Sequence, residues 1–170
     1  FTIDNKGRIY LQGKLAQGTY YIKETKAKDR YIKNDGEKMV ELKWGKTTKV
    51  EFVNTPIFGQ IEIHKIGSKN NQITGQLDGD NLKGAEFTIY EKATGKEVTK
   101  VVTNSQGIAR TGELPYGEYI VKETKAPAYY VINENEFEAN IKENKEVVKL
   151  EVQNMSVDLK TGGEKSTVKQ

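Results

Sequence analysis

The chain has no cysteine, which excludes disulfides and thiol chemistry. It has a single histidine, His64, with no serine–aspartate constellation around it, which argues against a hydrolase and for an ordinary strand residue. No apolar run approaches the roughly 18 residues that a membrane span needs. No basic-then-apolar leader opens the sequence, so the targeting segments of an exported protein would lie outside it. No Asp-x-Asp-x-Asp-Gly loop with a distal glutamate is present; "QLDGDN" at 76–81 reads as a hairpin loop. Neither a metal nor a cofactor is expected. An excess of charge of one sign is also lacking. The 27 basic and 24 acidic residues are interspersed and leave a net charge of +3, the pattern of solvated strand faces rather than of a nucleic-acid-binding stripe.

What is present is β signal. Nine tyrosines and many Val, Ile and Thr residues alternate with polar ones between Gly, Asn and Asp turns. "IEIHKI", "AEFTIYEK", "EYIVKET" and "VVKLEVQN" read as strands, whereas "NENEFEANIKENKEVV" is ambiguous between strand and helix. The expected class is an all-β sandwich, and 170 residues suit one or two domains.

The sequence repeats. "AQGTYYIKETKA" at 16–27 returns as "YGEYIVKETKAP" at 116–127, and Gly18, Tyr20, Glu24, Thr25, Ala27 and Tyr31 match Gly117, Tyr119, Glu123, Thr124, Ala126 and Tyr130 at one offset (117 − 18 = 99). "DNKG" at 4–7 matches "NSQG" at 104–107, and "EFVN" at 51–54 matches "EVQN" at 151–154. A unit of about a hundred residues is the size of a sandwich domain. Residues 56–154 read as one complete domain, 1–55 as the C-terminal part of a preceding one without its early strands, and 155–170 as a linker or tail. An incomplete sandwich exposes apolar faces and strand edges, which promotes association.

Period-two alternation places Ile61, Ile63 and Lys65 on one strand face, Tyr119, Val121 and Glu123 on another, and Val148, Leu150, Val152 and Asn154 on a third. Each inward row therefore finishes on a polar group. In the first copy Tyr20, Ile22 and Glu24 align, as do Val50, Phe52 and Asn54. The plain reading is a rim position or a hydrogen-bonded polar cluster, with a snorkelling lysine. The chemical reading follows from burial, which lowers a lysine pKa and raises that of a glutamate. A neutral amine is a nucleophile, and a glutamate can polarise a carboxamide and shuttle protons. Folding that holds amine against amide can remove about 7–11 kcal/mol of barrier at best. The product would be a Lys–Asn isopeptide bond, formed once with loss of ammonia.

These residues resemble a known family. "GQIEIHK" (59–65), "LKGAEFTIYEK" (82–92), "TNSQGIARTGELPYGEYIVKETKAP" (103–127) and "LEVQN" (150–154) are similar to the Cna B-type (SpaA-like, prealbumin-like) domains of Gram-positive surface adhesins and pilins. The resemblance implies a prealbumin-like, Ig-like β-sandwich and an extracellular place on the bacterial cell wall. It also implies an autocatalytic isopeptide bond from Lys65 to Asn154, promoted by Glu123 of the family's E-box. Where the family has glycine before the last tyrosine of that box, this chain has Tyr129 in "APAYY", a departure expected to affect a turn. In the first copy Glu24 and Asn54 match but the first-strand lysine is absent. Lys6 and Lys14, expected in later strands, are poor substitutes, so no such bond is expected within residues 1–56.

"VDLKTGGE" in the tail resembles a sortase signal without its proline or following apolar segment, and a linker is the simpler reading. Val157 and Leu159 alternate with Asp158 and Lys160, which would suit an edge strand added to another molecule's incomplete first domain. The expected function is a stalk module that turns over no substrate. Its partners would be neighbouring domains of the same surface protein, with no nucleic acid and no membrane contact. The alternative is a module that binds host matrix or carbohydrate through exposed Tyr129 and Tyr130, or through Trp44, for which packing beside its own turn is the plainer expectation.

Overall fold

The computed structural model describes residues 1–159. The chain divides into two compact units, Phe1–Thr55 and the chain from Pro56 on. All regular structure among the described residues is β, as the alternation requires.

The first unit contains β1 (Gly18–Lys23), β2 (Tyr31–Ile32) and β3 (Glu37–Leu42), and ends at β4 (Thr55–Pro56). β1 and β3 form an antiparallel pair from Gly18↔Leu42 to Lys23↔Glu37, and the short β2 and β4 pair with each other. Residues 46–54 make no strand.

The second unit is a two-sheet sandwich. Its strands are β5 (Phe58–Gly67), β6 (Glu86–Glu91), β7 (Glu97–Val102), β8 (Ile108–Arg110), β9 (Leu114–Pro115), β10 (Gly117–Lys125), β11 (Glu136–Ile141) and β12 (Val147–Asn154). One sheet runs β11-β10-β6-β7; the other runs β12-β5-β8, with β9 also on β5. β12 lies parallel to β5, although 79 residues (68–146) lie between Gly67 and Val147. β11 and the start of β12 settle the ambiguous run as strand.

β5 alternates buried and half-exposed residues along its length, the signature of a strand with one face on a core. Ile61 and Ile63 meet Phe87 and Ile89 of β6, Val121 of β10 and Ile141 of β11 in the central cluster. Each such side chain removed from water stabilises by about 1.5–3 kcal/mol.

Three sequence expectations change here. Lys6 and Lys14 lie in turns rather than strands; the Lys6 amide donates to Asp4 Oδ1, closing a local turn. Trp44 does not pack beside its turn: it stands 88% exposed at the tip of the Lys43–Lys46 turn. Tyr130 is not exposed but 6% accessible, because it bridges to Ser156 and its ring lies beside Gly67. The start of the tail is held within its own unit, where the Val131 amide donates to Met155 O and the Val157 amide to Tyr129 O. The sortase-like run lies outside the described residues from Lys160 on.

Candidate functional site

β5 and β12 are neighbours in register, with Val152 beside Lys65 and Asn154 beside Gly67. Lys65 and Asn154 are therefore diagonal neighbours on one inward face, close enough for a long side chain to bridge. Glu123 comes from the opposite sheet. It pairs with Phe87, and a register shift between Glu123 and Lys125 follows at once. Such a bulge redirects side chains at the end of a strand.

The three meet in the dry interior. The side chains of Lys65 and Glu123 have no solvent exposure. Lys65 Nζ donates to Asn154 Oδ1. Asn154 Nδ2 donates to Glu123 Oε1 at 2.8 Å, and that oxygen lies 3.4 Å from Lys65 Nζ. Glu123 Oε2 accepts from the Asn133 amide at 2.6 Å. The face of Phe87 lies 5.8 Å from the ammonium and closes the site on its apolar side. Burial pulls the Lys65 pKa down from 10.5 to about 8, against the opposing attraction and hydrogen bond of Glu123.

The Lys65 backbone is fixed on both sides. The Lys65 amide donates to Gly107 O at 2.7 Å, and Lys65 O accepts from the Leu82 amide at 2.9 Å. Gly107 is required for that approach: its φ is +70°, and a Cβ there would stand 2.5 Å from Lys65 O.

Two contributors were not singled out from the sequence. One is Gly107, whose repeat was noted without a role. The other is Asn133, which holds Glu123 through its backbone amide while its side chain donates to Gln153 O at 2.9 Å, beside Asn154. The missed signal is recurrence: Asn34 precedes Asn133 by the offset of the glutamates (133 − 34 = 99).

The first unit brings Glu24 and Asn54 together, with Asn54 Nδ2 donating to Glu24 Oε1 at 2.8 Å. His64 lies off the inward face and its Nε2 meets Asn81 Oδ1 at 2.7 Å. Tyr129 is 54% exposed and Trp44 exposed in the other unit, so neither unit holds both aromatics. Among the described residues no group of three His, Cys, Asp or Glu side chains could hold a metal.

Comparison with known proteins agrees with this architecture. A structure of the Bacillus anthracis TIE protein is 41% identical, with a TM-score of 0.71 over 84% of this chain and 26% of its own. A form of BcpA, the major pilin subunit of Bacillus cereus, is 32% identical over 57% of this chain and 28% of its own, with a TM-score of 0.49. A minor pilin of Streptococcus agalactiae is 21% identical, covers 86% of this chain and 63% of its own with a TM-score of 0.50, and shares the fold. The chain thus spans between about a quarter and two thirds of the length of these relatives. No protein with a curated description matches it. The family described as SpaA, prealbumin-like fold domain, matches residues 1–56 and again 59–156, and the chain belongs to that family.

Proposed function

We propose that this chain is stalk material of a Gram-positive surface protein, an adhesin or pilin displayed outside the cell wall. Its second unit, residues 56–154, is locked by an autocatalytic isopeptide bond between Lys65 and Asn154, promoted by Glu123. The observation that carries this reading is the buried contact of a lysine amine with a carboxamide whose nitrogen rests on a carboxylate. Membership of the SpaA prealbumin-like family, by both stretches of the chain, supports the setting.

The chemistry follows from the positions. With its pKa near 8, about a tenth of the Lys65 amine is neutral at pH 7. That amine attacks Asn154 Cγ. Glu123 Oε1 lies against both nitrogens, at 3.4 Å from Lys65 Nζ and 2.8 Å from Asn154 Nδ2. It accepts the proton that Nζ sheds and delivers it to Nδ2. The Nζ–Cγ bond forms, the Cγ–Nδ2 bond breaks, and ammonia leaves. The reaction happens once per chain, so the unit is not an enzyme in the turnover sense. Exclusion of water favours the uncharged amine and strengthens the electrostatic help from Glu123.

The bond would join β5 to β12 across 89 residues of sequence. By analogy with a disulfide of that loop length, it stabilises by about 4–5 kcal/mol. It also routes pulling force from the first strand to the last through a covalent link, leaving the rest of the sandwich unloaded. Intact mass spectrometry tests the reading. The chain should weigh one ammonia less than its sequence, and Glu123→Ala should restore the full mass. An unchanged wild-type mass refutes the bond; a cross-linked Glu123→Ala chain refutes the role of Glu123.

A further inference from the structure

β12 is the outer strand of the sheet β12-β5-β8, and among the described residues no strand pairs with it on the side away from β5. The direction of its backbone groups follows from its two ends. The Gln60 amide donates to Glu146 O at 2.8 Å, and the Ser68 amide to Asn154 O at 3.0 Å. Even-numbered residues of 146–154 therefore turn their N–H and C=O toward β5, and odd-numbered ones turn theirs outward. Gln153 O agrees, since it accepts from the Asn133 side chain. Between those ends the backbone groups of Lys149 and Glu151 face outward, a template for an added strand.

Charged side chains on an edge ordinarily deter such pairing. Here they select one partner, a second copy of the same strand. Lys149 and Glu151 flank Leu150 with opposite charges on the outward face. An antiparallel copy of β12 centred on Leu150 puts each Lys149 opposite the Glu151 of the other chain, a favourable cross-strand pair. Centring the pairing on Lys149 or on Glu151 instead sets like charges face to face. The Leu150 register also meets the hydrogen-bond requirement. Each Lys149–Glu151 pair exchanges both of its N–H···O bonds, and Leu150 faces Leu150 as a non-bonded pair, where side chains approach closest. Val148 and Leu150 are only half-buried in the single chain and gain cover.

The two charges are free to reach across. Lys149 Nζ lies 3.9 Å from Glu62 Oε1, and Glu151 Oε2 lies 3.9 Å from His64 Nδ1. Glu62 is already engaged by Arg110, whose Nε donates to its Oε2 at 2.8 Å. Both Lys149 and Glu151 are exposed.

We propose that the outer edge of β12 is a homotypic docking surface. Two copies of this chain pair antiparallel about Leu150, and their β12-β5-β8 sheets join into one. The dimer is closed by a two-fold axis, so the same patch serves both copies. That axis runs the copies in opposite directions, which suits molecules approaching from facing surfaces rather than neighbours aligned side by side. The pairing uses only the outer edge and does not depend on chemistry at Lys65 and Asn154.

Sedimentation equilibrium of the full 170-residue chain tests the proposal. The paired edge is short, so the dimer should be weak and concentration-dependent. Loading up to about 1 mM lets a dimer of millimolar Kd hold about half of the chains. Glu151→Lys and Lys149→Glu each set like charges opposite one another, and each variant should stay monomeric over that range. An equimolar mixture of the two should associate again, because every lysine then faces a glutamate. The double exchange K149E/E151K should dimerise by itself. Both positions are exposed, so thermal melts of the variants should match the wild type. A wild type that is monomeric at the top of the range overturns the proposal and leaves the edge to a strand of another protein. A dimer that survives either single reversal, or a mixture that fails to associate, overturns it as well.

Discussion

The two units carry one sequence pattern in different surroundings. The first keeps every feature closed by nearby residues. Asp4 and Asn104 each cap a turn through their side chains, Asp4 Oδ1 accepting from Lys6 and Arg8, and Asn104 Oδ1 from Gln106 and Ile108. Tyr20 and Tyr119 each donate their hydroxyl to the carbonyl four residues back. The β1–β3 pair repeats the β10–β11 pair. The features that vanish all need β5. Residues 8–10 and 50–54 hold the places of β8 and the end of β12 in the repeat, but among the described residues nothing pairs with them as β5 pairs with β8 and β12, and they are not strands. A sequence pattern makes a segment competent for a sheet; only a partner makes it a strand.

The sharpest way to break the comparison is to remove the lysine from the second unit's buried triad. Lys65→Met substitutes an apolar side chain of similar length and removes the proposed nucleophile. The chain should weigh its full sequence mass, and denaturant unfolding of the second unit should lose about 4–5 kcal/mol, the value expected for opening a loop of 89 residues. A midpoint unchanged from wild type would show that no covalent link was lost.

The paired glycines come next. Gly107→Ala forces a left-handed alanine, costing about 1–2 kcal/mol. It also overlaps Lys65 O at 2.5 Å, adding a further ~1–3 kcal/mol of the kind seen in overpacked cores. Gly7→Ala meets nothing within 4 Å, so only the conformational cost applies. Thermal melts of the two variants should separate by that overlap.

Much of this site was legible from period-two alternation. Lys65, Glu123 and Asn154 finish inward rows, and their burial among Ile63, Phe87 and Val152 follows from the same pattern that makes the strands. Asn133 and Gly107 were not legible as participants. They act through a backbone amide and a backbone carbonyl in loops, where alternation says nothing. Tyr130 and Trp44 were misplaced for a related reason. Accessibility at a turn depends on what crosses it, and for Tyr130 that is the Met155–Val157 segment, distant in sequence.

The pH dependence separates the units by rate. Burial holds the Lys65 pKa near 8, below its unfolded 10.5. Before the bond forms, the unfolded chain binds more protons than the folded one between those values, so folding stability of the uncross-linked unit rises with pH from about 8 to 10.5. In the proposed reaction the attacking amine is the neutral one. When unfolded chain is refolded across a pH series, the rate of ammonia loss should fall about tenfold per unit below pH 8 and level off above it. A flat profile from pH 6 to 9 would assign the limiting step to something other than amine deprotonation.

The smallest effect concerns the turn after the glutamate, where the second unit is the strained one. Tyr129 has φ of +66°, whereas its counterpart Arg30 is not left-handed. The conformation is enforced because Tyr129 O accepts both Asn71 Nδ2 and the Val157 amide. A bulky residue there gives up about 1–2 kcal/mol, and its exposed ring recovers little by packing. Tyr129→Gly removes the Cβ clash but enlarges the unfolded ensemble, an offset of about 0.4–1 kcal/mol. The net gain should be about 0.5–1 kcal/mol in the uncross-linked Lys65→Met background, read from denaturant midpoints. Arg30→Gly should lower first-unit stability, since there the glycine relieves no strain and only loosens the unfolded chain.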